Sequence, residues 1–188
     1  MSEPVLTIAN VLTLLRMGLV PFLVILVIQG RFAWALAVLV VAGLTDLFDG
    51  VFARRSGSHS TLGAMLDPVA DKILLSSSFV ALTWGSHLLA AIPKWLTVLT
   101  LSRDAIVVIS VLIINLTVGR RIFYPSLLGK TSTICQIVTV GVVLLCNALG
   151  AAPGALFVLY LLAGALAVGS GFHYVYLAAA GRSGVDNP

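Results

Sequence analysis

The sequence predicts an all-α integral membrane protein, a six-transmembrane-helix bundle with a polar cavity open to the cytoplasmic side. Three observations carry that prediction. The 188 residues are 60% hydrophobic and only 10% charged, with mean hydropathy +1.11, well outside the range of a soluble domain. Six apolar stretches are each long enough to cross a hydrocarbon core of about 30 Å as helices. Four of the seven acidic residues crowd into "LTDLFDGVFARRSGSHSTLGAMLDPVADK", residues 44 to 72. The expected spans are 7–29, 32–53, 63–84, 92–118, 131–149 and 154–179, and they leave no length for a second domain, so residues 1–188 read as one membrane domain.

The first span follows "MSEPVLTIAN", which has neither a basic leader nor a small-residue cleavage site; this stretch is expected to remain as a helix. Its Asn10, Thr13 and Arg16 recur at i, i+3 and i+6 and so share one face. They line the cavity mouth or serve as a helix start and interface anchor. The second span ends in Asp46 and Asp49, and the third carries Asp67 and Asp71 in its first turns. In the fourth, Arg103 and Asp104 lie near the middle, where an ionisable residue calls for a function. Arg120, Arg121 and Lys130 flank the start of the fifth span, which holds both cysteines, Cys135 and Cys146. Eleven positions apart on one helix, these cannot form a disulfide within it and read as small core residues. On the sixth span Ala163, Ala167 and Gly171 repeat every four positions, which permits close packing within the bundle or between subunits. His173, Tyr174 and Tyr176 form an aromatic belt at its end.

Lys and Arg between the spans set the orientation. With a cytoplasmic N-terminus, the inner loops and tail hold Arg54, Arg55, Arg120, Arg121, Lys130 and Arg182, against Arg31 and Lys94 outside. Both termini are therefore expected in the cytoplasm and, in a bacterium, the protein in the inner membrane. The net charge of +4 adds attraction to an anionic leaflet, and no nucleic acid is expected as a partner. This orientation gathers the four carboxylates at the cytoplasmic face, across a polar turn of Arg55, Ser56, Gly57, Ser58, His59 and Ser60. His59 reads as a solvated loop residue.

Helical geometry decides whether the carboxylates act together. At about 100° per residue, Asp46, Asp49, Gly50 and Ala53 share a sector of the second helix, and Gly63, Asp67 and Asp71 form a stripe on the third. Gly50, Ala53 and Gly63 keep those faces almost free of side chain. Each carboxylate in hydrocarbon costs about 2.5–3.5 kcal/mol on insertion scales, and like charges repel besides. Arg54, Arg55 and Lys72 offer one compensation, a structural ion-pair cluster. Divalent metal accounts better for four acids in one cavity lined by glycine and alanine. Hard cations such as Mg²⁺ or Mn²⁺ take oxygen ligands and share them with substrate phosphate. Four Asp around one or two such ions suit phosphoryl-type transfer at a membrane surface.

The arrangement Asp46-x-x-Asp49-Gly50-x-x-Ala53-Arg54, eight residues, then Gly63-x-x-x-Asp67-x-x-x-Asp71 resembles the signature of the CDP-alcohol phosphatidyltransferase family, with every defining position filled. Six transmembrane helices with the signature across the second and third also match that family. The resemblance implies that Asp46, Asp49, Asp67 and Asp71 hold a divalent metal pair, Mg²⁺ or Mn²⁺, and that Asp71 is also the general base. It further implies that Gly50, Ala53, Arg54 and Gly63 line the site for the cytidine diphosphate of a CDP-diacylglycerol donor. The expected reaction passes the phosphatidyl group to an alcohol and releases CMP, and a homodimer is expected, since family members often pair.

The acceptor is read from other residues. Arg103 either binds an acceptor phosphate or pairs with a carboxylate. "GKTSTICQ" is similar to the Gly-Lys-x-x-Thr-x-x-Gln stretch of members that use glycerol-derived acceptors, which makes Lys130 a candidate anion ligand. Arg121, with Arg120, is a further candidate or a topology anchor. The Asn10-x-x-Thr13-x-x-Arg16 opening resembles that of members making phosphatidylglycerophosphate or cardiolipin. Val111 stands where the former usually carry a second arginine, and Arg103-Asp104 looks more like the latter. Glycerol 3-phosphate and phosphatidylglycerol therefore both stay open as acceptors, with another alcohol such as inositol phosphate as the alternative. From a different class, a small cation transporter would place its acids along an ion path. Such proteins spread polar residues through both halves, whereas here four acids bunch between the second and third spans.

Overall fold

A computed structural model gives six helices in the order α1 (Ile8–Ile28), α2 (Phe32–Ser56), α3 (Thr61–Trp84), α4 (Lys94–Thr117), α5 (Leu127–Ala148) and α6 (Leu156–Ala179). It describes the backbone of residues 8–56, 61–117 and 127–179, and side chains over 14–45, at 70, and over 72–109 and 128–173. His59 and Arg121 lie outside the described residues. Among those described there is no β-strand, and each expected span is matched by a helix. α5 begins earlier than its hydropathy indicates, so Lys130 sits in its first turn instead of ahead of it. α3 also starts earlier, which moves Asp67 and Asp71 from its first turns to its second and third.

The protein is a membrane protein. Two helical stretches, Leu128–Ala148 and Leu156–His173, are long and apolar enough by themselves to cross a bilayer among the described residues. Large apolar side chains lie exposed along the helices, Phe22, Trp34, Ile134, Phe157 and Phe172 among them, as a hydrocarbon solvent permits and water does not.

The chain divides into two compact units, residues 1–91 with 140–153, and residues 92–139 with 154–188. In the first, α1 packs against both α2 and α3. Its buried residues follow helical periodicity: Arg16, Val20, Leu23 and Val27 on α1, Phe32, Ala35, Leu39 and Ala42 on α2. In the second unit α4 packs against α6. α6 buries Leu156, Tyr160, Ala163, Ala167 and Ser170 in one stripe. A Cβ added at Gly164 would stand 2.8 Å from the Trp95 ring, and one at Gly171 would lie 3.6 Å from Cγ of Arg103. The small residues of α6 therefore admit α4 of the same chain, in parallel register.

Two helix ends are built alike. At the end of α1, Gly30 N–H donates to the Val27 carbonyl (3.0 Å) and Arg31 N–H to that of Leu26 (2.8 Å). At the end of α5, Gly150 N–H donates to Asn147 (3.3 Å) and Ala151 N–H to Cys146 (2.8 Å). Both glycines sit at positive φ, 71° and 67°, the left-handed cap that closes a helix with paired carbonyls.

Asn147 ties the loop between α3 and α4 to the end of α5. Its Oδ1 accepts from the N–H groups of Leu89 (2.8 Å) and Ala90 (3.1 Å), and its Nδ2 donates to the carbonyls of Ala90 (2.7 Å) and Val143 (2.8 Å). The amide is buried and fully used. Asn147→Leu removes the partners of two backbone donors at once, and an orphaned buried donor costs about 1–3 kcal/mol. Thermal unfolding in detergent will show a substantially lower midpoint for this variant, and a conservative exchange at the neighbouring exposed Leu149 will not lower it.

Candidate active site

The acidic segment lies on two unbroken stretches of helix. α2 stays helical through Asp46, Asp49, Gly50, Ala53 and Arg54 to Ser56, and α3 from Thr61 through Gly63 and Asp67 to Asp71. The i, i+3, i+4, i+7 and i, i+4, i+8 spacings thus fall on helix, with Pro68 between Asp67 and Asp71 removing one backbone hydrogen bond. The side chains of these eight residues are outside the described set, and among the described residues no three His, Cys, Asp or Glu side chains gather around a common point. The donor set itself suits a hard divalent ion. All four candidate ligands are carboxylates, with no thiolate or imidazole among them.

On α4 the structure places Arg103 and Asp104 together and buried. Nη1 of Arg103 donates to Oδ1 of Asp104 at 2.7 Å, and Nε donates to Oγ of Ser170 on α6 at 2.8 Å. The serine in turn donates to the Ala167 carbonyl. Charge, hydroxyl and helix backbone are linked in one chain of hydrogen bonds. Of the two roles open to Arg103, pairing with a carboxylate is the one seen. Such charge-assisted bonds hold the guanidinium in a fixed plane. Ser170 was not legible as its partner, because the contact spans 67 residues and depends on the register of α4 against α6.

On α5 most hydroxyls turn back to their own helix. Thr131 donates to Leu128, Thr133 to Gly129 and Thr139 to Cys135. Two side chains of the same segment do not. Ser132 Oγ and Gln136 Nε2 are buried without a hydrogen-bond partner; both residues are 1% exposed. They stand one turn apart, on the buried face with Gly129 and Thr139, whereas Lys130 is exposed. Gln136 closes the "GKTSTICQ" stretch; Ser132 carried no signal in the sequence beyond its place inside it. On α1, Arg16 is fully buried. Cys146 is buried, Cys135 half-buried, and both are free thiols.

Residues 6–171 match the family model described as CDP-alcohol phosphatidyltransferase. The chain belongs to the CDP-alcohol phosphatidyltransferase family. Relatives carry two names. The cardiolipin synthase (CMP-forming) of Streptomyces coelicolor is 38% identical over 142 residues, 70% of this chain and 62% of that protein. The human cardiolipin synthase (CMP-forming) is 41% identical over 130 residues, 69% of this chain and 41% of that protein. A probable phosphatidylglycerophosphate synthase of Mycobacterium tuberculosis is 37% identical over 146 residues, 73% of this chain and 65% of that protein. The aligned segment thus spans about two fifths to two thirds of these relatives.

For a member of this family, the Arg103–Asp104–Ser170 chain is the polar feature of the α4–α6 unit that geometry defines best. Removing one partner of a buried ion pair costs about 3–5 kcal/mol, while replacing both by apolar residues of like volume is often neutral or stabilising. Asp104→Leu alone will therefore lower the unfolding midpoint strongly, and Arg103→Met with Asp104→Leu will recover most of it. Equal loss in single and double variants would show that the two side chains stabilise independently.

Proposed function

We propose that this protein makes a phospholipid by transferring the phosphatidyl group of CDP-diacylglycerol to a hydroxyl of a glycerol-type acceptor, glycerol 3-phosphate or phosphatidylglycerol, with release of CMP. The observation that carries the reading is the complete eight-position motif on two unbroken helices within the matched family segment. The protein spans the membrane six times with both termini in the cytoplasm, works as a homodimer, and opens its polar cavity to that side.

In this reading Asp46, Asp49, Asp67 and Asp71 hold two divalent ions, Mg²⁺ or Mn²⁺. When bound, they neutralise the pyrophosphate of the donor. Gly50, Ala53 and Gly63 admit the cytidine diphosphate where a larger side chain would fill the space, and Arg54 pairs with phosphate oxygen. Asp71 takes the proton of the acceptor hydroxyl as that oxygen attacks the phosphorus bearing the diacylglycerol. The bond from this phosphorus to the bridging oxygen breaks, CMP leaves with the electron pair, and a phosphodiester remains.

Arg103, Lys130 and Arg121 bind the acceptor's anionic group. Ser132 and Gln136 meet its hydroxyls: a buried amide N–H and hydroxyl left unpartnered in the folded chain cost free energy that a polyol recovers on binding. Between the two acceptors, charge supports phosphatidylglycerol. A phosphomonoester carries up to two negative charges and calls for more than one cation. Here Arg103 is already neutralised by Asp104, Val111 adds no further arginine, and only Lys130 and Arg121 are left to balance it.

The test is incubation of pure protein with CDP-diacylglycerol and each alcohol in turn, with identification of the lipid formed. Metal-dependent CMP release is expected, abolished by chelator and restored by Mg²⁺ or Mn²⁺. Asp71→Asn will lower turnover by about 10²–10⁴-fold, the range of a lost general base, and full activity in this variant would remove the assignment. Gln136→Leu will raise KM for the acceptor about tenfold or more with the donor KM unchanged, as expected for one lost hydrogen bond of about 1.5 kcal/mol. Formation of a lipid from inositol phosphate alone would replace the glycerol-type acceptor.

A further inference from the structure

The α4–α6 unit contains a groove that meets the proposed acceptor site at Arg103 and whose other lining residues take no part in the transfer reaction. Its volume is about 600 Å³, and it runs along α4 from Lys94 to Ile106 with Val168, Gly171 and Phe172 of α6 opposite. The walls are hydrocarbon and face outward: Val98 is 57% and Phe172 73% exposed. Gly171 and Ala167 keep the floor low, since neither offers a side chain beyond a methyl group. A Cβ at Gly171 would already reach contact distance with Arg103.

Charge is distributed unevenly along this groove. At its inner end Arg103 is tied to Asp104 and Ser170. At its outer end Lys94 opens α4 beside Trp95, exposed and without an ion pair among the described residues. Among the described residues no carboxylate lines the groove. A cation followed by a long apolar trough is complementary to an anionic amphiphile. Length selects among amphiphiles. From Lys94 to Ile106 a helix rises about 18 Å, close to one leaflet of a hydrocarbon core of about 30 Å. Lysine and tryptophan at a helix start mark the headgroup level.

We propose that this groove seats one acyl chain of a resident anionic phospholipid, from the leaflet at the N-terminal end of α4, with its phosphate on the Lys94 ammonium. The lipid is a structural ligand: its phosphate sits at Lys94, at the opposite end of the groove from Arg103, the residue shared with the proposed acceptor site. A second copy of this chain fits less well, because the acid described in this unit, Asp104, is buried and already paired.

The experiment compares delipidated full-length protein in mild detergent with added dioleoyl phosphatidylserine or phosphatidylcholine. Both have the same chains, and neither is a glycerol-type acceptor. Native mass spectrometry reads lipid adducts, thermal unfolding reads stabilisation through linkage, and light scattering reads protomer number. Wild-type protein will retain one phosphatidylserine and unfold several degrees higher with it than with phosphatidylcholine. Lys94→Gln will lose the preference for the anionic lipid. Val98→Trp, a substitution on an exposed wall, will lose the adduct altogether while unfolding at the wild-type temperature in detergent alone. The proposal is overturned if Lys94→Gln keeps the preference, or if Val98→Trp keeps the adduct. It is overturned too if Val98→Trp changes protomer number with lipid binding intact, which would identify a second copy as the occupant.

Discussion

The structure depends on one constraint: in hydrocarbon, every polar group needs a partner inside the protein, because water supplies none. Most hydroxyls of the helices meet it locally, donating to a carbonyl three or four residues back, as Thr45, Ser78, Thr83 and Thr100 do. Asn147 meets it with four bonds that fasten a loop to a helix end. Arg103 meets it with an adjacent aspartate and a serine on another helix. Glycine caps satisfy the last carbonyls of α1 and α5. Against this background Ser132 and Gln136 stand apart. Where a membrane fold carries polar groups that its own backbone does not absorb, ligand binding is the economical physical account.

Close approach of helices is the second requirement, and small residues meet it. Gly164 faces the Trp95 ring at a distance no Cβ tolerates. The approach sets the register of α6 against α4, and with that register Ser170, six residues after Gly164, arrives at Arg103, eight after Trp95. The same small residues leave the trough between Lys94 and Ile106. One feature of the sequence thus yields a helix contact, a polar anchor and a lipid-sized groove. Because lipid tails are as apolar as the side chains, the hydrophobic effect does little between helices, and close packing of this kind drives their association.

Helix number and order were legible from apolar runs alone, because a span of hydrocarbon length leaves little choice of structure. Family membership was legible as well, from the eight-position motif that the acidic segment carries. The start of α5 was less legible: Lys130, Thr131 and Ser132 lower hydropathy without breaking a helix, and Thr131 and Thr133 bond within it. Of the partners of Arg103, a carboxylate was legible and Asp104 is that partner, whereas Ser170 and the loop partners of Asn147 were not. These contacts join positions 57, 58 or 67 apart in sequence, and no local pattern encodes a register between distant helices. The stripe of Ala163, Ala167 and Gly171 allowed two readings, and the approach of Gly164 and Gly171 to α4 gives it a partner within the chain.

Division of labour between charged and neutral groups bears on how such a site selects its alcohol. A lone buried arginine would attract any phosphate, whereas an arginine bonded to aspartate and serine offers a fixed geometry with little net charge. Selection then rests on neutral hydrogen-bonding groups, which discriminate through what is left unpaired when the wrong ligand binds. An amide and a hydroxyl one turn apart on α5 are suited to that task, because each withholds its bond from the folded chain. Such a site is expected to be tolerant of the anionic group and strict about the hydroxyls.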